Sequence, residues 1–198
     1  MTLKTAPRAV KVIDDVETTK ILVDPIRQEI LRYLAEYPMT ETQLAVKLNL
    51  AKSSMCHHLQ ILIEAGLIRV ERTEVESHGI QQKFYETTFK LFLVNFDVVP
   101  PELQRYFLHI HMERLRGILS VVQLMEEKQG RHLEITRDQL EDLSLETARQ
   151  TSIIGKGYEQ KGLNMSRETL LVKIYSESLR KVIAEHDWIL LNTLKNIL

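Results

Sequence analysis

Apolar residues at Ile26, Ile30, Leu31 and Leu34 recur at the spacing of one face of an α-helix. Asp24-Pro25 stands at its head, a capping acid followed by the residue that suits the first helical position, and Tyr37-Pro38 marks its end. A shorter pattern follows. Thr40 and Gln43 form a capping box, Leu44 and Leu48 supply an inward face, and Asn49 suits the left-handed residue that closes a helix. A third helix is predicted from Lys52 to Ala65, with Met55, Leu59 and Leu62 on one side and Gly66 as its stop. Two helices joined this tightly, the first short and capped, predict a helix-turn-helix.

Upstream, Val10 to Asp14 alternates as a strand does, and Asp14 or Asp15 can cap a brief helix behind it. After Gly66 the period changes. Ile68, Val70, Phe84 and Tyr85 are the apolar members of two runs rich in β-branched and aromatic residues, broken at Ser77-His78-Gly79, and they predict a hairpin. The apolar run 89–96 reads equally as a strand or a short helix. From Pro100-Pro101 onward the pattern is helical, beginning with a near-heptad stripe of Leu103, Phe107, Ile110, Ile118, Val121 and Met125 that ends at Gly130. Thr136 and Gln139 open a further helix expected to close around Lys161-Gly162, and Ser166 caps a last one in which Trp188 joins Tyr175, Leu179 and Val182 in a core. These faces are wider than one partner would need, which predicts bundling between two chains. The expected fold is mainly α (α+β). A winged helix-turn-helix over residues 1–98 precedes a helical dimerisation domain over 99–198.

Composition leaves this picture intact. The chain has 198 residues, 44% hydrophobic and 27% charged, which fits two small domains with workable cores. Residues 1–20 lack the apolar core of a secretory signal, and no stretch approaches the roughly 18 apolar residues of a membrane span. A cytoplasmic protein is expected, and a single cysteine fits a reducing compartment. Net charge is −1, with 12 Lys and Arg against 13 Asp and Glu in residues 1–100, so any nucleic-acid contact must rest on a local patch.

The chemistry-bearing residues cluster on the third helix. Ser53, Cys56, His57 and Gln60 share the side opposite Met55, Leu59 and Leu62, with His58 at the edge of the apolar stripe. Cys56 and His57 are consecutive, so their side chains diverge by roughly 100° and neither share a metal nor form a catalytic dyad. A small polar face on the second helix of a helix-turn-helix, followed by a hairpin, is instead the arrangement that enters a major groove. Lys52, Ser53 and Ser54 are candidate phosphate contacts through the helix N-terminus, against a plain capping role. His57 and Gln60 are candidates for base edges, against a solvated polar face. Arg69, Arg72 and Lys83 in the hairpin are candidate phosphate contacts, against ion pairing with Glu71, Glu74 and Glu76.

Residues 24–34, DPIRQEILRYL, then MTETQLAVKLNLAKSSMCHHLQILIEAGLI and a hairpin ending KFYETT, resemble the winged helix-turn-helix regulators of the ArsR type. The run Cys56-His57-His58-Leu59, with Leu62, Ala65, Gly66 and Leu67, carries the likeness, and the long helical tail is similar to archaeal members with an extended dimerisation region. The resemblance implies a homodimeric regulator, with repression as the expected mode, on a pseudo-palindromic double-stranded DNA operator. It covers roughly residues 20–90. The chain departs from the metal-sensing members: residues 40–48 hold no cysteine, and His109 and His111 point to different sides of their helix. No metal, catalytic group or cofactor is expected. The segment GKGYEQKG lacks the order of a phosphate loop and is expected to bend or end a helix. Two further readings stand beside the regulator: a winged helix that binds protein rather than DNA, and a pocket for an unidentified small-molecule effector among the tail helices.

Overall fold

The computed structural model describes residues 7–75, 79, 81–130, 132, 134–161 and 164–185. In order these form β1 (Arg8–Ile13), α1 (Val16–Ile21), α2 (Pro25–Glu36), β2 (Met39–Thr40), α3 (Glu41–Lys47), α4 (Lys52–Glu64), β3 (Ile68–Val75), β4 (Gln81–Thr87), β5 (Phe89–Val94), a 3-10 turn at Phe96–Val98, α5 (Pro101–Glu127), α6 (Arg137–Lys156) and α7 (Arg167–Glu185). The architecture is a winged helix followed by C-terminal helices.

Local chemistry sets the helix boundaries. Asp15 and Asp24 cap α1 and α2 by accepting from the backbone N–H of Thr18 and Arg27. Thr40 and Thr136 each complete a capping box, with Gln43 and Gln139. Asn49 (φ 51°) and Gly66 (φ 68°) adopt the left-handed conformation. After each of them the chain donates back into the last helical turn: Leu50 N–H to Ala45 at 2.9 Å, Leu67 N–H to Leu62 at 2.9 Å. Both ends are Schellman motifs, and they turn the chain sharply from α3 into α4 and from α4 into β3.

Ile30, Leu34, Leu44, Met55, Leu59 and Leu62 fill the winged-helix core. The hairpin gains a third strand, because Met39 and Thr40 pair with Tyr85 and Phe84 and give the antiparallel order β2-β4-β3. A bulge between Val70 and Arg72 interrupts the pairing of β3 with β4. Of the expected break, Ser77 and His78 lie outside the described residues, and Gly79 has φ 76°.

The run 89–94 is a strand, pairing parallel with β1 from Arg8 opposite Phe89 to Ile13 opposite Val94. Leu91 and Leu93 pack with Tyr158, Leu170 and Ile174 of the tail, whereas Phe92 and Val94 pack against the winged-helix core. Covered on both faces, this strand shows no alternation in its sequence.

The tail corrects two expectations. Helix α6 ends at Lys156 rather than near Lys161, because Gly155 and Gly157 weaken its last turn and Tyr158 swings into the core to donate its hydroxyl to Glu177 at 2.6 Å. In the second half of α5 the inward face is Met112, Leu115, Leu119 and Val122, with Ile118 partly buried against it as expected, and not Val121 and Met125. A straight helix advances 3.6 residues per turn against 3.5 for a heptad, so the covered face drifts off the predicted stripe. Val121, Leu124 and Met125 are left exposed. Tyr175, Leu179 and Val182 are core residues, and Trp188 lies outside the described residues.

Gly155 seats α6 on the strand pair. A Cβ there would stand 2.6 Å from Leu93 Cδ1 and 3.1 Å from Val12 Cγ2. Gly155→Leu is therefore expected to cost about 1–3 kcal/mol in urea unfolding, with Leu93→Ala in the same chain returning part of that loss. Unchanged stability in the single variant would show that α6 does not need this approach.

Candidate nucleic-acid interface

Helix α4 is two-sided. Met55, Leu59 and Leu62 are almost fully enclosed, while Lys52, Ser53, Ser54, Cys56, His57 and Gln60 are all exposed. The polar face inferred from the wheel is thus on the surface of the chain. His58 sits half-buried at the border, its Nδ1 3.9 Å from the Asp24 carboxylate that caps α2. Tight Schellman turns at either end fix the axis of α4 relative to α3 and the wing, so the exposed face is presented by a rigid support.

At its amino end the N-cap is Ala51, which offers no side-chain capping bond. The first helical bond runs from Met55 N–H to Ala51 O, so the N–H groups of Lys52, Ser53 and Ser54 precede the helical ladder and face outward with the positive end of the helix dipole. Their side chains do not serve as caps, which removes the plain capping alternative. Further along, Gln60 donates from Nε2 to Glu64 Oε1 at 2.9 Å. Glu64 is a member of this face that the sequence reading passed over, and its charge opposes an approaching phosphate.

The wing cations have local partners. Arg69 lies opposite Glu86 in the strand register and binds it at 2.7 Å. Arg72 binds Glu71 at 2.7 Å and Glu74 at 2.6 Å, and its guanidinium stacks 3.7 Å over the Phe84 ring. Those two carboxylates hold the Arg72 guanidinium above its ordinary pKa, Glu74 the more strongly. Lys83, paired in register with Thr73, is exposed. The geometry brings Lys52, Ser53, Ser54, His57 and Gln60 onto one surface and sets Arg69, Arg72 and Lys83 on the separate hairpin. Glu86 is itself buried, so drawing Arg69 to a phosphate means breaking a partly buried pair, whereas the Glu74 partner of Arg72 is exposed.

His109 and His111 diverge as expected. His109 is exposed beside Glu113, whereas the His111 ring stacks on Tyr175 at 5.7 Å with Nδ1 3.1 Å from the tyrosine hydroxyl. Among the described residues no three His, Cys, Asp or Glu side chains are grouped to hold a metal ion, and no helix is long and apolar enough to cross a membrane.

No curated protein matches the chain. Residues 24–70, from the cap of α2 to the third residue of β3, match the model of a family described as "Bacterial regulatory protein, arsR family", so the helix-turn-helix built by α2, α3 and α4 is similar to that of the ArsR regulators over this segment.

Proposed function

We propose that this protein is a cytoplasmic, homodimeric transcription repressor that reads a pseudo-palindromic operator. The observation that carries the proposal is the division of α4: its apolar side is sunk in the core and its polar side is bare, in a segment of ArsR type. Lys52, Ser53 and Ser54 hold a phosphate at the helix start, His57 and Gln60 reach base edges in the major groove, and Arg69, Arg72 and Lys83 hold backbone phosphates beside it. Homodimerisation is supported by the bare α5 stripe of Val121, Leu124 and Met125, where a second copy would bury apolar surface and set the two α4 helices about 34 Å apart.

Selection of bound genomic fragments followed by sequencing tests binding, symmetry and half-site spacing together. Enriched inverted half-sites one turn apart are expected, and no enrichment over random DNA would defeat the reading. Within it, Gln60→Ala should lose about 1–3 kcal/mol on the operator and little on random DNA, while Lys52→Ala should weaken both and lower the salt slope by about 1. Fluorescence anisotropy at several salt concentrations measures both effects.

The engagement of Arg69 and Arg72 by carboxylates favours a second reading, in which the wing faces a protein rather than a polyanion. Recovery of a stoichiometric protein partner after nuclease treatment, with no DNA selected, would favour it over the first.

A further inference from the structure

A cavity of about 260 Å³ lies where α2, β5, α5, α6 and α7 meet. Leu31, Leu93, Phe107 and Ile110 contribute an apolar wall, and Lys90, Arg114 and Arg167 bring three cationic side chains to the same space. No aspartate or glutamate lines it. Two of the cations have partners outside the lining: Lys90 Nζ donates to the Met165 carbonyl at 2.9 Å, and Arg167 binds Glu168 at 2.6 Å. Arg114 differs. It is half-buried beside the core residue Leu115, its guanidinium carbon lies 5.6 Å from the Tyr175 centroid, and the Glu168 carboxylate that acts on it is itself bound to Arg167.

Burial, aided by the field of Arg167, holds the Arg114 guanidinium below its ordinary pKa against the opposing influence of Tyr175 and Glu168. A desolvated cation facing a cavity with no carboxylate in its lining is costly, and a bound anion would offset that cost in a low-dielectric site where the attraction is strong. His111 adds no charge, because burial and Arg114 lower its pKa to about 3 and its Nδ1 is engaged with the Tyr175 hydroxyl. The planar guanidinium fork suits a carboxylate, and the apolar wall suits a hydrocarbon body. The volume falls just short of the roughly 300–1,000 Å³ of drug-sized sites, which sets the ligand as small.

We propose that this cavity binds a small amphiphilic organic anion, its carboxylate-like head on Arg114 in the field of Arg167 and Lys90, and its body against Leu31, Leu93, Phe107 and Ile110. The assignment stands on the cavity alone and not on the reading of DNA. Isothermal titration of the full chain with sodium octanoate and sodium benzoate tests it, with octylamine and inorganic phosphate as comparisons. One octanoate or benzoate per chain is expected, with octylamine silent and phosphate at least tenfold weaker. Arg114→Met, which keeps the volume and removes the charge, should weaken the carboxylate at least tenfold. Should that variant fail to fold, Arg167→Gln decides, with a loss of at least threefold. Silence from both carboxylates, equal binding of octylamine or phosphate, or unchanged affinity in the deciding variant would overturn the site.

Discussion

Leu62→Ala is expected to cost about 2–5 kcal/mol of unfolding free energy, whereas Ile63→Ala, one position on, should stay within about 1 kcal/mol. The two residues are neighbours on α4, yet Leu62 is 0% exposed among Ile30, Leu34, Leu44 and Met55, and Ile63 is 41% exposed. Leu62 is also the acceptor of the Leu67 N–H that closes the helix, so a collapsed side chain would loosen the turn into the wing as well as open a void. Urea denaturation of both variants gives the comparison. Equal losses at the two positions would mean that α4 does not present one side inward, and the polar face would lose its physical basis.

What the chain revealed in advance follows from how local each signal is. Asp24, Thr40, Asn49, Gly66 and Thr136 act within one turn of where they stand, and the structure uses each as a cap or a left-handed closure. The division of α4 was legible for the same reason, since a helix of this length sorts its residues by angle alone. Strand β5 was not legible. Its two covered faces erase the alternation that marks a strand, and its partner β1 lies some 80 residues away in sequence, as Arg8 opposite Phe89 shows. Val121 and Met125 on the far half of α5 were misread because several neighbours share that helix and a fixed heptad does not follow their changing directions.

The interface and the cavity differ in the same way. Lys52, Ser53, Ser54, His57 and Gln60 belong to one helix and a recognisable motif. The cavity draws Lys90, Arg114 and Arg167 from β5, α5 and α7, and no spacing in the sequence links them. The one local sign was an arginine between Met112 and Leu115 on the covered side of an amphipathic helix, a position where charge is costly unless something answers it. Gln28 ties the two regions structurally: it lines the cavity and donates to the Leu22 carbonyl at 2.5 Å and to the Tyr106 hydroxyl at 3.0 Å, joining α2 of the winged helix to α5 of the tail.

His57→Glu is expected to weaken operator binding more than about a hundredfold while leaving the urea midpoint nearly unchanged. His57 is exposed on the second turn of α4, between Ser53 and Gln60 on the proposed groove-facing side, so the substitution disturbs no packing. In the complex a carboxylate there would confront phosphate oxygens and the acceptor-rich guanine edge with its own negative charge, and like-charge contacts across an interface cost several kcal/mol. Glu64 already brings one carboxylate to this face, and Gln60 hydrogen-bonds it, so a second adds to negative charge already there. His57→Gln, which keeps a donor and adds no charge, should lose far less. Because the penalty is electrostatic, the gap between the two variants should narrow as salt is raised, and anisotropy titrations at low and high ionic strength read that narrowing directly. A His57→Glu protein that bound its operator as tightly as the parent would remove this face of α4 from the interface, whatever the family of the helix-turn-helix.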